Sequence, residues 1–484
     1  MSETNMRGTL PVLLPILLGT FMSALDTSVV TIALPVVQNN FHVSLSMVEW
    51  VTTAYLLIVS SMLLTFGRMS DLYGHKKVYV TGFAVFTAGS LLCGFSANIF
   101  MLIACRVFQA LGAGMMFSAN SAIITANVPP DRRGKAFGMT AVAVAAACCI
   151  GPVLGGALTA IWGWQSIFYI NIPIGVIGTW LAARNIPADG KRQAVNFDTA
   201  GSILIFASLF LILLPLDLAG NDGIGTVLFT SMLLAGLALA AAFILLEKRV
   251  RHPLLKLELF RNRVFSASLV AAVFNYMAQF MMAFLAPFYL QKIRLLSPAV
   301  TGLLYMPMPL AIMLAAPISG SLSDRHDSRI ISSAGMGIMS IGMFMLSLLK
   351  LDSPNWYIVM AMLLTGAGSG MFQTPNNSAI MGNAPAEHRG SASGALATMR
   401  NIGMVMGVAV CGALFNFYSG KATTVYEAGG LSGIPLKQAA FTYGLHITFT
   451  AAAIVALFAM AASLVKGKVL TETEKAREAA AGEA

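Results

Sequence analysis

Runs of about twenty apolar residues recur along the whole chain, each long enough to cross a bilayer. Their spacing predicts fourteen spans within 484 residues. A chain so patterned has few folds open to it. In hydrocarbon every backbone N–H and C=O must be paired within the segment, so the spans are expected to be helices packed in bundles. Composition agrees: 57% of residues are hydrophobic and 10% charged, against about a quarter charged in soluble domains. The net charge of +10 sits in the loops. It reads as the positive-inside signal, and no nucleic-acid partner is expected. Lys292, Arg294, Lys350, Lys421 and Lys437 fall on the side expected outside; Arg106 and Arg400 fall within spans; the other Lys and Arg of the chain's 30 all fall on the opposite side. Both termini are therefore expected in the cytoplasm, with the chain multi-pass in the inner (cytoplasmic) membrane. Arg7 precedes the first run and no A-x-A cleavage site follows, which predicts an uncleaved first span. The five cysteines lie within spans without metal-ligand spacing, so neither a metal site nor a cofactor is expected.

An internal repeat divides the chain. GAGMMFSANSAI at 112–123 answers GSGMFQTPNNSAI at 368–380, and PPDRRG at 129–134 answers PAEHRG at 385–390. GRMSD at 67–71 answers GSLSD at 320–324 more weakly. The pairs lie about 255 residues apart, the signature of a duplicated bundle. The expected domains are a six-helix bundle over 10–187, an inserted two-helix hairpin over 198–247, a basic cytoplasmic linker over 248–263, a second six-helix bundle over 264–467 and a charged tail over 468–484. Two repeats about a central cleft suit a transporter that rocks one half against the other. The hairpin carries no charge at its centre and is expected at the periphery. The amphipathic linker is expected on the inner membrane surface beside anionic lipid.

Asp26 is the only charge in the first span, VLLPILLGTFMSALDTSVVTIALPV (12–36). A carboxylate there costs several kcal/mol and normally faces a protein interior or a wet cavity. Ser23, Thr27 and Thr31 fall near it at helical spacing, so this face can line a water-filled path. One reading makes Asp26 the group that takes and gives up a proton while the protein moves a cargo. The other makes it a structural acid bonded to a neighbouring helix. Glu49 and Trp50 open span 2 near the outer interface, where an acid is cheap and Glu49 could attract cations or protons as a further proton-coupling group.

The loop GRMSDLYGHKK (67–77) resembles the loop motif of the major facilitator superfamily, with Gly67, Asp71, Gly74 and Lys76 in place and Leu72 and His75 where arginines are usual. Its glycines can bring helix ends close, and Asp71 can cap a helix or pair with a basic group across the two halves. The expected role is a cytoplasmic latch, repeated in degraded form at Asp324 and Arg325. Span 4 carries RVFQALGAG (106–114), similar to the superfamily motif whose Arg takes part in proton transfer; Arg106 is expected near the depth of Asp26. In span 5, CCIGPVLGG (148–156) resembles the motif of drug:proton antiporters at Gly151, Pro152, Gly155 and Gly156. Its proline kinks the helix, and its small residues offer a smooth face for packing against the other half. WGWQSIFYINIPIG (162–175) also resembles the drug exporters, with Asn171 and Pro173, and no role follows from it.

Span 9 offers a cargo wall: Asn275 and Gln279 share a face, and Tyr276 and Phe280 add aromatic surface. Arg400 in span 13 can gate or snorkel, and His446 in span 14 reads as a satisfied polar residue. The whole chain resembles the 14-helix drug:proton antiporter family of the EmrB/QacA type. That resemblance implies an all-α major facilitator fold and proton-driven export of lipophilic, often cationic, small molecules. Protons are the coupling ion, membrane lipid the surroundings and a monomer the expected state; a periplasmic adaptor would join in a Gram-negative cell. A proton-coupled exporter of a specific metabolite, lipid or peptide stays open, as does a membrane sensor without transport. No nucleotide loop, metal cluster or nucleophile–base set points to an enzyme.

Overall fold

The computed structural model describes residues 10–129, 132–188, 199–218, 225–248, 257–323, 326–385 and 389–466. The described residues are helical almost throughout: α1 (Leu10–Phe41), α2 (Leu45–Tyr73), α3 (His75–Gly94), α4 (Ile99–Asn127), α5 (Arg133–Trp162), α6 (Ser166–Tyr169), α7 (Asn171–Asn185), α8 (Thr199–Leu218), α9 (Thr226–Glu247), α10 (Arg263–Phe288), α11 (Pro298–Tyr305), α12 (Pro307–Ser323), α13 (Ser328–Ser347), α14 (Asn355–Gly382), α15 (Arg389–Ala428) and α16 (Gly433–Val465). Among the described residues, 12 stretches are long and apolar enough to cross a membrane. The two remaining expected spans, 199–219 and 355–380, are also helices, α8 and α14, outside those 12; within α8 only Ile203–Ile212 is an unbroken apolar stretch of described residues. For α14 the reason is visible in its sequence, which carries Ser369, Gln373, Asn376, Asn377 and Ser378 along one helix.

The chain divides into two compact units, the first from the described residues of Met1–Pro215, Ile224–Leu254 and Leu290–Leu303, the second from those of Leu216–Gly223, Leu255–Tyr289 and Leu304–Ala484. Each unit has the same internal plan. In the first, α4 packs on α2 and α3, α1 on α5 and α7, and α3 on α7. In the second, α14 packs on α12 and α13, α10 on α15 and α16, and α13 on α16. The repeat pairing of 112–123 with 368–380 thus places equivalent residues on equivalent helices.

The loop motif of 67–77 is a tight helix–helix junction. Gly74 stands between α2 and α3 at φ 116° and donates its N–H to Ser70 O at 3.1 Å. That backbone region is closed to residues with a Cβ. Gly74→Ala is expected to cost about 1–3 kcal/mol, read as a lower melting temperature in detergent; an unchanged melting curve would count against it. Gly67 does not bring helix ends together: a Cβ there would meet nothing within 4 Å. Asp71 lies 3.9 Å from Arg68 one turn earlier in its own helix, with 56% of its side chain exposed. Lys76 is half-buried in the first turn of α3. Asp324 and Arg325 lie outside the described residues.

The hairpin helices pack on one another, since a Cβ on Gly236 of α9 would fall 2.8 Å from Ile212 Cγ1 of α8. The rest of α9 is largely bare, with Val227 81% and Leu234 65% exposed. Of the basic linker, residues 249–256 lie outside the described residues. At its end Leu257–Arg261 forms a short 3₁₀ turn, and Leu259 is buried in one cluster with Phe265, Leu269, Ile380, Ala384 and Ala392.

Just beyond the last turn of α16, Lys466 is 1% exposed, with its Nζ 3.4 Å from Ser332 Oγ. Burial pushes its ammonium down to about 8, opposed by Asp327 and reinforced by Arg329. The unfolded chain holds this proton up to about pH 10.4, so between about 8 and 10.4 it binds more protons than the fold. Stability is therefore expected to rise with pH across that window by an amount on the order of 2 kcal/mol. Lys466→Met should abolish this rise in melting scans from pH 7 to 10; equal slopes in the two proteins would refute the assignment.

Candidate functional site

Asp26 and Arg106 meet inside the first unit. They are 0% and 1% exposed, and Arg106 Nη1 donates to Asp26 Oδ2 at 2.7 Å. The same nitrogen donates to Gln109 Oε1 at 2.7 Å, one turn along α4, and Nε donates to Val51 O of α2 at 3.2 Å. The Tyr55 ring lies 4.1 Å from the guanidinium carbon, a cation–π distance. Phe168 of α6 approaches from another side at 5.8 Å. Arg106 thus has acceptors or a π face around it, which is how a guanidinium survives without water.

The other carboxylate oxygen is held by two amides. Gln109 Nε2 donates to Asp26 Oδ1 at 3.0 Å and Asn171 Nδ2 donates to it at 2.9 Å. Both amides also donate to Ser90 Oγ of α3, at 2.6 and 3.2 Å. The carboxylate is therefore enclosed by α1, α3, α4 and α7. On the expected hydroxyl face, Thr27 Oγ1 donates to Ser23 O and Thr31 Oγ1 to Thr27 O, both within α1.

Local sequence explains how Asn171 arrives at this depth. Gly163 turns the chain at φ 81°, α6 makes one turn, and α7 restarts at Asn171 with Pro173 in its first turn. Proline is tolerated there because its missing N–H has no helical partner. The expected span 164–184 is thus two helices with a polar residue at the break.

The span-5 motif braces the same helix. A Cβ on Gly151 would lie 2.5 Å from Ser28 Oγ, and one on Gly155 would lie 2.9 Å from Val29 Cα, so α5 presses backbone-close on α1 beside Asp26. The face was expected to meet the other half of the chain; two of its three glycines instead meet α1 of the same unit. Gly156 and Pro152 contact a segment distant in sequence, since Cβ atoms built on Gly156 and Gly302 would clash with Pro298 O and Pro152 O. That segment, Leu290–Leu303, belongs to the first unit, and Gln291 Nε2 donates to Ile32 O of α1 at 2.8 Å.

Glu49 is not an exposed interfacial acid; it is 2% exposed in the first turns of α2. In the second unit Asn275 is fully buried and its Oδ1 accepts from Ser369 Oγ at 3.1 Å, with Gln373 Nε2 donating to Ser369 Oγ at 2.9 Å. Gln279, Tyr276 and Phe280 are half-buried on α10, and Arg400 Cζ lies 6.0 Å from the Tyr276 ring centre. His446 Nε2 lies 2.7 Å from Leu349 O.

Sequence reasoning named Asp26 and Arg106 but assigned no role to Gln109, Ser90, Tyr55 or Asn171. Gln109 had a signal, an amide three residues from a buried arginine and so on its face. Asn171 had one in the INIPIG break. Ser90 and Tyr55 are ordinary residues within apolar spans and had none.

The Major Facilitator Superfamily model matches residues 16–408. The chain is 37% identical over 408 residues to the riboflavin transporter RibZ of Clostridioides difficile (strain 630), covering 84% of this chain and 88% of that protein. It is 30% identical over 398 residues to the multidrug resistance protein Stp of Mycobacterium tuberculosis (strain CDC 1551 / Oshkosh), covering 82% and 74%. Its fold is similar to the crystal structure of a bacterial homologue of the human lysosomal transporter Spinster, at a TM-score of 0.66, 16% identity and coverage of 96% and 98%. With its apolar helices, its two units of one plan and these relatives, the chain belongs to the Major Facilitator Superfamily and is one of its multi-pass membrane transporters.

Proposed function

We propose that this transporter is a 14-helix proton-coupled antiporter that exports lipophilic, cationic compounds by alternating access. The observation that carries the reading is the buried Asp26–Arg106 pair. A buried pair adds little to stability over apolar packing, so its presence among hydrocarbon-facing helices argues for use. A carboxylate that loses its proton on the cytoplasmic side favours a cation; reprotonated from outside, it releases it. The α5 glycines support the reading, because they set α1 against α5 at backbone distance beside the acid. Relatives such as Stp make drug export the favoured cargo class.

A second reading rests on the RibZ likeness: the cargo is a flavin or a similar planar heteroaromatic molecule. The test is transport by the purified protein in proteoliposomes under an imposed pH gradient, with tetraphenylphosphonium and riboflavin in parallel. Gradient-driven movement of the cation supports the first reading, and movement of riboflavin alone supports the second. Equal rates with and without the gradient would refute proton coupling for both.

A further inference from the structure

Among the described residues, the three side chains bonded to the Asp26 carboxylate are all donors: Arg106, Gln109 and Asn171. That set suits a charged carboxylate. A protonated one carries an O–H that needs an acceptor. Arg106 has none to offer. The Gln109 carbonyl is already held by Arg106 Nη1 at 2.7 Å, and Cys93 Sγ lies 3.8 Å from it. The Asn171 carbonyl differs. Asn171 is 0% exposed, and among the described residues its buried Oδ1 has no hydrogen-bond partner.

A half-turn of the Asn171 amide exchanges Nδ2 and Oδ1. Oδ1 would then take the place of a nitrogen that lies 2.9 Å from Asp26 Oδ1 and 3.2 Å from Ser90 Oγ. Ser90 fits both orientations, because a hydroxyl accepts from the amide nitrogen in one and donates to the amide oxygen in the other. We propose that Asn171 is the positioning residue that reads the protonation of Asp26: its amide donates to the carboxylate and, turned over, accepts from the carboxylic acid. A proton reaching Asp26 Oδ1 forms one O–H bond, and that O–H donates to Asn171 Oδ1. Loss of the proton restores the carboxylate and returns Nδ2 to it. The titratable groups facing Asp26 are Arg106 from α4, Tyr55 from α2 and Cys93 from α3. Asn171 opens α7 directly after the α6 break, so the turn of its amide is placed where two helices meet. The proposal rests on Asp26 being the proton-coupling group.

The test is infrared difference spectroscopy of the full chain in lipid, acid minus alkaline, with the asparagine side-chain carbonyls carbon-13 labelled. In the wild type a carboxylic acid C=O band should appear on acidification together with a label-sensitive amide band. Asp26→Asn should remove both. Asn171→Leu should remove the amide band and move the acid band to the higher frequency of an acid whose O–H has no acceptor. An acid band that stays in place in Asn171→Leu would overturn the proposal. So would a labelled wild type with no amide band on acidification, a result that stands even if Asn171→Leu fails to fold. A wild-type acid band that survives unchanged in Asp26→Asn would instead overturn the proton-coupling reading beneath it.

Discussion

Asp26→Asn is expected to abolish export driven by a pH gradient while leaving a folded protein. Asparagine keeps the size of the side chain and still accepts from Arg106, but it cannot titrate. What it loses is the charge that balances Arg106. Leaving one member of a buried pair unmatched costs about 3–5 kcal/mol, and here Val51 O, Gln109 Oε1 and the Tyr55 ring remain to share that burden. The variant should therefore melt lower than the wild type yet reconstitute. In proteoliposomes its gradient-driven rate should fall to that of empty vesicles, and its binding of cations should weaken more than its binding of neutral compounds. Wild-type rates would remove Asp26 from the mechanism and turn attention to Glu49, which is also buried.

Arg106→Met should be the most destabilising single change at the site. It strips the cation from a carboxylate that is 0% exposed and removes the donors to Asp26 Oδ2, Gln109 Oε1 and Val51 O together. The expected cost is about 3–5 kcal/mol. The double variant Asp26→Asn with Arg106→Met carries neither charge and should lose less than the sum of the two single losses, by about 2–3 kcal/mol. Thermal unfolding of the four proteins in one detergent measures it. Additive losses would mean that the two side chains lie together without depending on each other, and that the pair is not an electrostatic unit.

Much of this architecture was legible because hydrocarbon allows so few structures. Apolar length and the repeat at 112–123 and 368–380 were enough for helices, halves and a transporter class. The site was legible where a charge stood in an apolar run, since such a residue needs a partner, and Arg106 was the basic residue at matching depth. The amides were harder. Polar uncharged residues are cheap in spans, so Gln109 and Ser90 carry no alarm in the sequence, and Asn171 announced itself only through the proline two residues later. The loop motif shows the opposite limit. Gly67 and Gly74 look alike in sequence, yet one faces open space and the other holds a backbone conformation that only glycine adopts readily. The span-5 glycines were read as a packing face, but a sequence does not say which helix receives it. Nor does a sequence show that the linker's Leu259 is buried in the second unit's core.

The central claim is that Asp26 exchanges a proton for cargo. The most direct measurement is proton release from purified protein in weakly buffered detergent when tetraphenylphosphonium is added. If Asp26 is the exchanging group, about one proton should be released per wild-type molecule at saturation, and none from Asp26→Asn at cation concentrations that saturate that variant. Equal release from the two proteins would contradict this exchange.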